Sequence, residues 1–345
     1  MTAPRPTELR YRLADFINDR LKKIPGLHLA VKTATSRYLW KKEAGAAAAK
    51  SRPAKQSPVV DQRPGAAPQP ARSADEQQPV SSDSLPFPPF EMRELVGTTD
   101  LSHFDNPEGK LVFRYIDFDL FNYDKIFDFG CGCGRLARML IQQKPRPKRY
   151  VGIDLHAGMV RWCQENLQPA APGFTFLHHD VFNIGFNPKR GSPLVAPFPV
   201  GDAQFTLVLA HSVFTHLTEQ QALHYLRECA RILEPGGVLY ASWFFFDKRD
   251  FPIMQESANA LYVSYEDPSA AVIFDREWMR TTAREAGLRI VGFVPPSVKG
   301  HQWAIMLTKR DDVQEPELPP DTAPRGVLRP PVGPPDPAKV GLGKE

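Results

Sequence analysis

The chain has 345 residues, a formal net charge of +4 and 35 prolines so unevenly spread that one packed domain with unstructured flanks is expected in place of two average domains. The mild positive charge lacks the concentrated Lys/Arg stripe of an electrostatic nucleic-acid binder, so no nucleic-acid partner is expected. The longest strongly apolar run, Val238 to Phe246, falls far short of the ~20 residues that a membrane-spanning helix needs.

Four cysteines (Cys131, Cys133, Cys163 and Cys229) occur in a chain whose start shows no charged-then-apolar leader. A reducing, cytoplasmic location follows as the expectation. Cys131 and Cys133 have neither a second cysteine pair nor histidines at ligand spacing, so no metal is expected.

Residues 1–43 form a basic segment in which Leu9, Leu13, Phe16, Ile17 and Leu21, then Leu27, Leu29 and Val31, allow one or two short helices broken at Pro25 and Gly26. Such a segment can make weak contact with an anionic membrane surface or a partner protein, or pack on its own domain. Residues 44–86 are dominated by Ala, Pro, Ser, Gln and Lys and read as a disordered linker, and residues 311–345 read as a disordered Pro-rich tail. Order is expected over residues 87–310, with Phe87 to Tyr123 as an N-terminal cover.

Strand and helix patterns then alternate. Strands are predicted at Lys125–Phe129, Arg149–Asp154, Phe174–His178, Phe205–Ala210 and Gly237–Phe245, with helices near 135–143, 156–167 and 218–233. This rhythm argues for βαβ units with helices on both faces of a parallel sheet. A helix at 276–286 and strands at 288–294 and 302–308 close the ordered part. Because the link between those two strands is too short for a crossover, they form an antiparallel hairpin. The expected fold is α/β, a Rossmann-like, seven-stranded, mostly parallel sheet ending in that hairpin. The segment 247–271 reads as an insertion able to lid a site.

Candidate chemistry gathers at the strand ends, where open α/β sheets bind ligands. Asp128 precedes a turn with glycine at 130, 132 and 134, where the backbone can approach a ligand and the following helix presents its N-terminus. Asp154 ends the second strand and can accept from both hydroxyls of a ribose. Asp180 and Val181 follow the third strand, where a carboxylate could take an adenine amino group. A glycine turn with an acid twenty residues later also fits a nicotinamide-dependent oxidoreductase, although the spacing here is Gly-x-Gly-x-Gly.

The series Phe127 to Gly134, Gly152 to Asp154, His179 to Val181, Ser212 to Leu217 and Leu233 to Gly237 resembles the class I S-adenosylmethionine-dependent methyltransferase family over about Leu95 to Lys309. The resemblance implies S-adenosylmethionine as cofactor, its methionine portion on the Gly130–Gly134 turn, its ribose on Asp154 with Leu155 adjacent, and its adenine near Asp180 and Val181. It places His211 and Ser212 beside the transferred methyl group. It also implies O- or N-methyl transfer to a small-molecule or sugar-type acceptor. His211 and His216 are the candidate bases, because histidine titrates near neutrality; His216 can equally anchor the helix that follows. A methyltransferase-like scaffold without activity is the remaining alternative.

Overall fold

The computed structural model describes residues 85–113, 123–189, 191–251 and 258–321. The expectations for residues 1–84, including the basic N-terminal segment and most of the linker, and for residues 322–345 lie outside the described residues.

Among the described residues nine strands form the sheet: β1 (Lys125–Phe129), β2 (Arg149–Asp154), β3 (Phe174–His178), β4 (Phe205–Ala210), β5 (Leu233–Phe246), β6 (Ala260–Tyr262), β7 (Val272–Asp275), β8 (Arg289–Val294) and β9 (Trp303–Thr308). The order β3-β2-β1-β4-β5 is parallel throughout. β9 then pairs antiparallel with β5 from Val238 to Trp243, and β8 pairs antiparallel with β9. The expected parallel sheet with a closing hairpin is therefore present.

Two strands exceed the seven expected: β6 lies within the expected lid and β7 directly follows it. β5 runs past the end of β9, and its last residues, Phe244 to Phe246, pair in parallel with β7, which in turn carries β6. The apolar run Val272 to Phe274 is too short to announce a strand by itself, but it completes the free end of β5 and buries Phe274 against Trp243.

Strand alternation divides the side chains between two faces. Phe127 and Phe129 of β1, Val208 of β4 and Leu239 of β5 meet α4 (Glu219–Ile232) and α5 (Arg276–Glu285) on one face. Ile126, Leu207, Leu209 and Tyr240 meet α2 (Arg135–Gln142) and α3 (Ala157–Asn166) on the other. The stretch Glu234 to Gly237 does not end β5. It bulges between the pairs Phe205–Leu233 and Leu207–Val238, so the pairing of β4 with β5 resumes beyond it in a shifted register.

The cover begins with α1 (Phe90–Leu95), and a 3-10 turn follows at Leu101–Phe104. It is clasped by Arg138, a buried guanidinium on α2. Arg138 donates to the carbonyls of Leu85 and Phe104 at 3.1 and 2.9 Å, pairs with Asp105 at 2.5 Å, and lies 3.8 Å over the Phe87 ring. Buried charge persists only when paired and hydrogen-bonded, and here the cover supplies the partners.

At the other end, the first eleven residues of the tail expected from Asp311 make scattered contacts with the domain. Leu318 is buried in the core, Glu315 pairs with Arg284 at 2.8 Å, Arg276 donates to the carbonyls of Leu318 and Pro319, and Asp321 accepts from the Gly300 N–H. Proline content argues against helix and strand, not against one leucine finding a core. Packing thus extends past the expected limits, Phe87 and Arg310, at both ends.

Candidate functional site

The glycine turn between β1 and α2 is left-handed at all three glycines, with φ of 84° at Gly130, 56° at Gly132 and 76° at Gly134. Added Cβ atoms would stand 2.5 Å from Val213, 2.8 Å from Val96 and 2.5 Å from Leu167, respectively. The glycines thus serve close packing by the segment after β4, the cover and the segment after α3, as well as backbone conformation.

Asp154 is coupled directly to this turn. Its Oδ2 accepts the Gly132 N–H and its Oδ1 the His156 N–H, both at 2.8 Å. Burial raises its pKa, against the lowering effect of those two N–H groups. A carboxylate has about four lone-pair positions, so two remain for a ligand. Leu155 follows, and its carbonyl accepts from the His178 ring at 3.1 Å.

Asp128 points away from solvent and accepts from the Tyr150 hydroxyl at 2.5 Å. Burial, with the nearby charge of Asp154, pushes its pKa up to about 6, although the Tyr150 bond works the other way. Asp180 is occupied by its own loop: Lys189 at 2.5 Å, Ser192 at 2.9 Å and Asn187 at 3.0 Å converge on its carboxylate and hold its pKa well below the usual range. Val181 is buried beside it.

At the end of β4, Ser212 adopts φ 57°, a strained value for a residue with a side chain. Its N–H donates to Ser242 Oγ at 2.7 Å and its Oγ accepts from Gln302 Nε2 at 2.9 Å, so β5 and the start of β9 fix the turn. His216 sits on the 3-10 turn Phe214–His216 and donates through Nδ1 to the Ser269 carbonyl at 2.9 Å. That is an anchoring position.

His211 is placed differently. It lines a cavity of about 390 Å³ between α2, β4, β5 and the cover, together with Arg135, Met139, Leu209, Tyr240 and His103. Desolvation and the positive charge of Arg135 push the His211 pKa down to about 4. The structure thus joins the glycine turn to Asp154, and His211 to the cavity beside that turn. Asp180 is hydrogen-bonded by its own loop and His216 by the Ser269 carbonyl. Arg135, Arg138 and Tyr150 carry roles that sequence reasoning did not assign. The signal for Arg138 was a charge among the apolar positions Ala137, Leu140 and Ile141 of one helix face.

The sequence model of a family described as a methyltransferase domain matches residues 126–237, the stretch from β1 to the bulge of β5. Residues 126–237 are thus similar to a methyltransferase domain. A ubiquinone biosynthesis O-methyltransferase of Caulobacter vibrioides is 27% identical over 117 residues, covering 34% of this chain and 39% of that protein. An arsenite methyltransferase of Aquipseudomonas alcaligenes is 27% identical over 125 residues, 36% of this chain and 34% of that protein. The chain therefore matches well under half the length of these curated relatives. A solved S-adenosylmethionine-dependent methyltransferase of Methanosarcina mazei is 18% identical, covering 58% of this chain and 98% of that one, with a TM-score of 0.39.

Proposed function

We propose that the protein transfers a methyl group from S-adenosylmethionine to oxygen or nitrogen of a small-molecule or sugar-type acceptor, in a cytoplasmic setting. The observation that carries this reading is the coupling of Asp154 to the glycine turn, which leaves two carboxylate lone pairs directed at a strand-end ligand. Gly134 gives α2 no side-chain cap, so the first-turn N–H groups are available to an anionic group of the cofactor. Asp180 keeps one lone pair free of its loop for an amino group, and Val181 packs on the base. Four free cysteines, all buried, are in keeping with a reducing compartment.

S-adenosylmethionine, when bound, supplies an electrophilic methyl carbon. The task left to this chain is alignment and exclusion of water. The cover held by Arg138 lies over the turn, and His211 is placed to accept a hydrogen bond from a protonated acceptor. The ubiquinone-biosynthesis relative is an O-methyltransferase, which favours oxygen as the acceptor atom.

Calorimetric titration with S-adenosylhomocysteine and with NAD tests the cofactor: binding of the first and none of the second is expected, and the reverse would sink the reading. Asp154→Ala should weaken S-adenosylhomocysteine binding about tenfold to a hundredfold through lost hydrogen bonds. Because Asp154 also holds two backbone N–H groups, that variant should lose about 1–3 kcal/mol of stability as well. Labelled-methyl incorporation into a cell extract, followed by mass spectrometry, identifies the acceptor. Cofactor binding without incorporation would favour a scaffold.

A further inference from the structure

The cavity beside the glycine turn contains a charge with no ion-pair partner among the described residues. Arg135, the first residue of α2, makes no hydrogen bond or ion pair among the described residues, and burial lowers its pKa. Among the described residues neither Asp nor Glu lines the cavity, and the other titratable groups facing it, His103, His211 and Tyr240, add no negative charge. Asp128 acts on Arg135 through its charge without a hydrogen bond, and its carboxylate accepts from Tyr150. A guanidinium drawn partly out of water without an anion is costly, and a ligand that brings one is favoured.

Much of the rest of the lining is apolar. Leu209 lies two residues before His211 on β4, Met139 lies one turn beyond Arg135 on α2, and Val112 belongs to the cover. The polar groups stand at the strand-end rim, beside the glycine turn, and the apolar ones lie deeper.

We propose that this cavity binds the methyl acceptor, and that the acceptor is a small organic acid: an apolar body seated against Leu209, Met139 and Tyr240, with a carboxylate or phenolate oxygen on Arg135. This rests on the methyltransferase reading and narrows its acceptor class. A cavity of about 390 Å³ lies at the lower end of the ~300–1,000 Å³ usual for small-ligand sites and suits one compact molecule. The amino-acid end of the cofactor also carries a carboxylate, but its ammonium group would enter a cavity that offers no acid to receive it. In the reaction the ionised oxygen forms a bond to the methyl carbon while the sulfur–carbon bond breaks and its electron pair stays on sulfur. An anion and a sulfonium become a neutral ester or ether and a neutral thioether, and no further reactant is needed. Arg135 raises the fraction of acceptor in the attacking, ionised form.

The test uses the full chain saturated with S-adenosylhomocysteine and two matched probe pairs, benzoate with benzyl alcohol and hexanoate with 1-hexanol, followed by ligand-observed NMR. Each acid should bind at least about tenfold more tightly than its alcohol, corresponding to one charge-assisted contact. Arg135→Gln should erase that preference and leave S-adenosylhomocysteine affinity within about threefold, well under the ~1.4 kcal/mol of a tenfold change. Met139→Trp, which fills the cavity from the other wall, should abolish acid binding while cofactor binding persists, and it stands in if the Arg135 variant does not fold. Equal binding of acids and alcohols, or binding of neither, overturns the proposal. A large loss of S-adenosylhomocysteine affinity in Arg135→Gln also overturns it, because Arg135 would then hold the cofactor. If S-adenosylhomocysteine does not bind at all, the methyltransferase reading fails, and the acid preference measured without it still decides whether Arg135 makes this an acid-binding cavity.

Discussion

On the face of the sheet covered by α4 and α5, ring meets ring: Phe214 stacks on Trp243 at 4.3 Å, Phe198 on Tyr225 at 5.4 Å, and Phe274 on Trp278 at 5.1 Å. On the face covered by α2 and α3, packing is continuous beneath α3 but gives way between α2 and the β4–β5 pair to a cavity with a guanidinium at its rim. Both faces are made by the same alternating strands. One is filled as a core, and the other is left partly open where a ligand can reach the glycine turn. The difference separates residues that hold the fold from residues available for chemistry, although all of them lie within one sheet.

Truncation should expose that difference most strongly on the filled face. Trp243→Ala removes a fully buried indole that touches Phe214, Phe245 and Phe274, and should cost about 3–5 kcal/mol in chemical denaturation. Arg138→Met tests the clasp on the other face. It leaves several carbonyls and Asp105 without their donor and should cost about 2–4 kcal/mol. Faster proteolysis within residues 85–105 should accompany it, and unchanged cleavage would show that the cover is held by other contacts.

Asp128→Asn should act in the opposite direction. Folded Asp128 keeps its proton up to about pH 6, whereas an unfolded aspartate releases it near pH 4. Its contribution is therefore full below about pH 4 and is lost as the pH rises through 6. The asparagine variant should be more stable than the parent at pH 7 by about 2–3 kcal/mol, with the gain vanishing towards pH 4. A melting series across that range checks the sign. Met139→Ala, at the wall of a space that already exists, should cost only about 1 kcal/mol, because no new tight-fitting cavity is created. A loss as large as that of Trp243→Ala would erase the distinction between the faces.

Much of the fold was legible because its signals are local. The glycines at 130, 132 and 134, the strand–helix alternation and the short link before β9 each report on neighbours in sequence. The cavity reports on none, since its walls come from the cover, α2, β4 and β5, and only packing brings Leu209, Met139 and Tyr240 together. Strand β7 was hidden for a related reason: its four residues become a strand through the free end of β5. Asp154 shows the limit at a single position. Its place at a strand end was readable, but its bonds to the Gly132 and His156 N–H groups depend on how closely the turn returns to β2. Asp180 was read as a ligand contact, and no spacing rule announces that Lys189, Asn187 and Ser192 would converge on it.

Strand β9 lies between β5 and β8 although it is the last strand in the sequence. Until a ribosome has released the chain beyond Thr308, the edge of β5 from Val238 to Trp243 stands open, a row of backbone donors and acceptors of the kind that recruits a second chain. Synthesis of this protein therefore has a vulnerable interval set by the order of its strands. A product terminated anywhere between β5 and β9 would carry that open edge permanently and would be prone to aggregate.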